Sequence, residues 1–101
     1  MLWCIKFPND VVYRPLRPFL SSEYIYIENK TVLPFHDESD SLRLTIELLR
    51  KISHDEPTIV SKLCVLKTTG DWTLNSQYTF GKIIEQFTYE EFVLQHFVEM
   101  L

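Results

Sequence analysis

The tripeptide His-Asp-Glu occurs twice, as His36-Asp37-Glu38 and as His54-Asp55-Glu56. An imidazole beside two carboxylates is the raw material of a metal site or of general acid–base chemistry. The copies could act together only if the chain between them folded back on itself. That stretch of about 15 residues reads as a helix, and a rise of ~1.5 Å per residue separates its ends by more than ~20 Å. Metal ligands must stand ~2.0–2.2 Å from one ion, and a strand would hold the copies farther apart still. Acids at a helix start and a histidine at its end also suit the helix dipole with no further role. Neither copy is expected to bind metal. Catalysis through His36 or His54 would need a pocket converging on one of them.

No other reactive group stands out. Ser21-Ser22, Ser41, Ser53, Ser61 and Ser76 lack a nucleophile-elbow context, and two glycines are too few for a phosphate-cradling loop. Cys4 and Cys64 sit inside apolar runs, with no CxxC or Cys/His spacing, and read as buried, reduced thiols. The chain is therefore expected to be non-catalytic, with no cofactor and no metal.

Net charge is −4, and the ten Lys and Arg are dispersed. A nucleic-acid binder gains most of its affinity by neutralising phosphates, so an acidic chain starts at a disadvantage. The alternative is an OB-like subunit of a nucleic-acid complex. It would stack single strands on Tyr24 and Tyr26, with Lys6, Arg14 and Arg17 supplying the charge. Against this, sheet aromatics more commonly pack a core. The Pro15-Leu16-Arg17-Pro18 string has PxxP form but reads as a strand-ending connector.

The N-terminus lacks the long apolar core of a signal peptide, and no run approaches a membrane span. An intracellular protein, cytoplasmic or nuclear, with no membrane contact is expected, which leaves the Asn29-Lys30-Thr31 sequon unused.

The elements that would carry these residues follow from hydropathy. Leu2 to Phe7 reads as a strand, paired through a Pro8-Asn9-Asp10 turn with Val11 to Arg14. Glu23 to Glu28 alternates strictly and should pair, through Asn29-Lys30, with Thr31 to Phe35. Ser41 to Ile52 places Leu42, Ile46, Leu48, Leu49 and Ile52 on one helical face, with Ser39 or Asp40 as cap. The same segment also alternates as a strand through Leu48, but Leu48-Leu49 breaks that pattern and favours the helix. Thr58 to Lys67 reads as a strand that turns at Thr69-Gly70-Asp71 and returns from Trp72 to Phe80, with an irregularity at Asn75-Ser76. Gly81 marks a break, and Thr88 to Leu101 is helical.

The expected fold class is α+β, a small, mostly antiparallel, hairpin-rich sheet with one central helix and a C-terminal helix. Residues 1–101 form one domain, and the abrupt apolar end suggests the N-terminal domain of a longer protein. Two architectures share parts of this order. One is an OB-like barrel; the other is a pleckstrin-homology-like sandwich, which needs Leu42 to Leu48 to be a strand. Neither analogy confers function.

The terminal helix carries the most information. At ~100° per residue, Glu91, Gln95 and Glu99 form one narrow polar stripe. Phe92, Val93, Leu94, Phe97, Val98, Met100 and Leu101 occupy most of the rest of the circumference, and a surface helix needs an apolar stripe only somewhat wider than ~100°. The surplus calls for a central position in the fold, a strand in place of part of the helix, or a partner. The favoured reading is a protein–protein interaction or assembly domain, a scaffold-like complex subunit that self-associates or joins another protein as a homo- or heterodimer. Phe92, Phe97, Val98 and Leu101 would make the contact, with Trp72 or Tyr78 nearby.

Overall fold

A computed structural model describes residues 2–9, 14, 18, 24–27, 31–34, 40–72 and 78–100. The first strand, β1 (Leu2–Lys6), lies third of five in an open sheet. Its neighbours are β3 (Thr31–Pro34) and β4 (Cys64–Trp72). β2 (Tyr24–Ile27) and β5 (Tyr78–Thr88) form the two ends, giving the order β2-β3-β1-β4-β5 with every neighbouring pair antiparallel. The uninterrupted apolar runs explain the central placement. Trp3, Ile5, Val65 and Phe87 bury one face; Leu2, Cys4, Leu66 and Thr68 are buried on the other. A strand buried on both faces has no polar alternation to show.

The strict alternation of β2 makes the expected hairpin with β3, in register Tyr24↔Pro34 to Ile27↔Thr31. The first expected hairpin meets two competing observations. Both edges of β1 are taken, by β3 and β4, and Arg14 is helical. Val11 to Tyr13, at the middle of that expectation, lie outside the described residues.

The ambiguous segment is a helix, α1 (Ser41–Asp55). It buries Leu44, Thr45, Ile46, Leu48, Leu49 and Ile52, with Leu42 half-buried and Arg43, Arg50 and Lys51 exposed. A helix here removes the strand that the sandwich analogy required. Asp40 takes the N-cap position without a side-chain cap bond; its carboxylate instead approaches Arg43 Nε at 3.8 Å. The helix start is tied to the sheet by the Trp3 N–H, which donates to Ser41 Oγ at 3.0 Å, next to the stretch where β1 pairs with β3.

Thr58 to Val60 do not begin a strand. They form a short helix, α2 (Pro57–Val60), with proline in its first turn, where its missing N–H costs nothing. Thr69-Gly70-Asp71 is likewise not a turn. β4 runs straight through it, with Gly70 opposite Phe80 and Asp71 opposite Thr79. Two bulges absorb the mismatch: Ile84 is an extra residue on β5, and Thr69 alone faces Gly81 and Lys82. The Thr69 hydroxyl accepts the Lys82 N–H at 2.7 Å, replacing a ladder bond that the bulge removes. Glycine in this strand therefore marks the irregularity rather than a reversal. Gly81 too lies inside β5 and does not end it. Asn75-Ser76 lies outside the described residues.

Candidate interaction surface

The C-terminal segment is held at its start by Thr88, the last residue of β5. The Thr88 hydroxyl accepts the Glu91 N–H at 3.1 Å and donates to the Glu91 carboxylate, also at 3.1 Å. This is a capping box in which the glutamate returns to the threonine side chain. The Tyr89 N–H donates to Leu63 O at 3.2 Å, fastening the same corner to the chain before β4. From there α3 (Tyr89–Gln95) runs for two turns.

Phe92 anchors it. Its ring is fully buried, 5.8 Å from Trp3 and 6.5 Å from Phe87, with the His96 ring 4.6 Å away. Trp3 also stacks on Phe87 at 5.9 Å, and Lys67 Nζ lies 5.5 Å from the Trp3 ring centre. Edge and offset contacts of this kind add ~0.5–1.5 kcal/mol per pair beyond burial.

The helix then breaks. His96 leaves helical geometry at φ −121°, ψ 33°, while its ring packs edge-on against Trp3 at 5.7 Å. A new turn, α4 (Phe97–Met100), begins with the Met100 N–H donating to His96 O. No glycine or proline announces this break. It accompanies the seating of a half-buried histidine in the aromatic cluster.

On both sides of the break surplus apolar residues face water. Leu94 is 76% exposed, Phe97 58% and Val98 79%. Burying them would recover on the order of 3–6 kcal/mol in total. Beside them, α1 and α4 border an open groove of about 430 Å³, lined by Leu42, Ile46, Arg43, Glu47, Arg50 and Glu99. Arg43 is engaged with Glu47 at 2.9 Å; among the described residues Arg50 makes no ion pair. Glu90, Glu91 and Glu99 are exposed around the apolar patch, and no Lys or Arg occurs from Ile83 onward.

The residues singled out from the sequence are thus divided. Phe97 and Val98 are at the surface, together with Leu94, an apolar residue outside the expected contact set. Phe92 belongs to the core and is corrected on that point: at 0% exposure it has no surface to offer. Leu101 lies outside the described residues. Trp72 and Tyr78 pair with each other at the far end of the β4–β5 hairpin, whereas α3 leaves from the Cys64↔Thr88 end. At ~3.3 Å per residue, their backbones stand about 25 Å from the helix start, so they are not its neighbours. Exposed Ile83 and Ile84 lie on β5 at the bulge, between Lys82 and Glu85. Bulges and flanking charges are the usual means of blunting a sheet edge.

The other candidates are dispersed. Tyr24 and Tyr26 are on β2, an end strand, and their side chains lie outside what the structure describes, as does Arg17. Lys6 is half-buried on central β1, and Arg14 is exposed. His36, Asp37 and Glu38 lie outside the described residues. His54 is exposed at the end of α1, with Nδ1 2.9 Å from Asp55 Oδ1. Among the described residues no group of three or more His, Cys, Asp and Glu could hold a metal ion. Nor is any helix among them long and apolar enough to cross a membrane.

Both cysteines are free. Cys4 is opposite Leu66 and Cys64 is opposite Lys6, so the two stand diagonally across β1–β4. Diagonal neighbours stand ~7–8 Å apart, somewhat less between Cβ atoms, which still exceeds the ~3.5–4.5 Å between Cβ atoms that a disulfide needs. Burial pushes the Cys4 thiol up to about 12 from its ordinary 9.0, and its Sγ donates weakly to Leu66 O at 3.9 Å. A thiol that holds its proton this firmly is a packing group, not a nucleophile.

No protein-family model, curated protein or solved structure matches the chain.

Proposed function

We propose that this chain is a non-catalytic protein–protein interaction or assembly domain that works through the surface formed by α3 and α4. The observation that carries the reading is the exposure of Leu94, Phe97 and Val98 on a segment pinned to the core by Phe92. The segment cannot swing inward to hide them without unseating that ring. Several large apolar side chains left exposed on one short segment, beside a polar stripe, support a protein contact. The stripe here is Glu91, Gln95 and Glu99, all exposed, and a partner would leave it wet.

In-cell photo-crosslinking tests this. A photoreactive residue at Val98 should give a discrete higher-mass adduct, lost in Phe97→Asp. The same residue at exposed Lys62, after α2, should give none. Absence of an adduct from position 98, or equal adducts from both positions, defeats the reading.

A further inference from the structure

We draw no further inference here: the strongest candidate, the exposed apolar patch of Leu94, Phe97 and Val98 on α3 and α4, carries nothing beyond the interaction already proposed, because nothing in the structure shows what covers it.

Discussion

Phe92 and Phe97 are the same residue type, five positions apart on one C-terminal segment, and they have opposite surroundings. Phe92 is at 0% exposure among Trp3, Phe87 and His96; Phe97 is at 58%, beside Leu94 and Val98. Hydropathy cannot separate them, and neither can helical spacing, because the turn that would relate them is interrupted at His96. The aromatic cluster is a finished contact: its rings meet, and Lys67 lies over the Trp3 ring. The exposed residues on either side of the break have the same chemistry without the neighbours. That left-over apolar surface is the observation on which the proposed interaction rests.

The largest test of this contrast is Phe92→Ala. It removes a ring from a filled site and should lower unfolding stability by ~3–5 kcal/mol in urea titration. A loss below about 1 kcal/mol would mean that α3 is only loosely seated, and the contrast would fail.

The buried region has a second probe in Cys4. Its pKa is raised in the folded state, so below about pH 9 both folded and unfolded chains keep the proton and nothing changes. Above that, the unfolded chain ionises while the folded one does not. Stability should then fall by ~1.4 kcal/mol per pH unit until the folded value of about 12 is reached. Denaturation of Cys4→Val should show a shallower alkaline decline between pH 9 and 11; an identical decline would show that Cys4 does not contribute.

A smaller effect is expected at the junction. Thr88→Ala deletes the acceptor for the Glu91 N–H and should cost ~1 kcal/mol by thermal or urea unfolding, with Thr88→Ser recovering most of it. The smallest belongs to the patch. At concentrations low enough to keep the chain monomeric, Phe97→Asp should change stability by less than ~0.5 kcal/mol. A loss comparable to that of Phe92→Ala would place Phe97 in the core and remove the distinction.

Much of the framework was legible. The apolar runs at Leu2 and Cys64 mark the central strands, Glu-Tyr-Ile-Tyr-Ile-Glu marks β2, and the Leu48-Leu49 pair marks α1 as a helix. The sequence holds a further signal: Thr88-x-x-Glu91 is a helix-start pattern, and it places the first helical residue at Tyr89. Glu56-Pro57 likewise announces α2. The errors share a cause. Gly70 reads as a turn because local chemistry permits one, but in the fold it pairs with Phe80 across two bulges. β1 takes β3 and β4 as its partners, a matter of competition between distant segments that the local Pro8-Asn9-Asp10 turn signal does not record.

For the candidate surface, the division between the two kinds of information is sharp. Composition and spacing by themselves establish that Thr88 to Leu101 carries more apolar side chains than one face can hide, and that Glu91, Gln95 and Glu99 form its wet side. Only tertiary packing decides which apolar residues are the surplus. Trp3, from the opposite end of the chain, meets Phe87, Phe92 and His96; that contact buries Phe92 and half-buries His96, where the backbone breaks, while Phe97 and Val98 stay in water. Local periodicity assigns a residue to a face; burial depends on what the rest of the chain brings to that face.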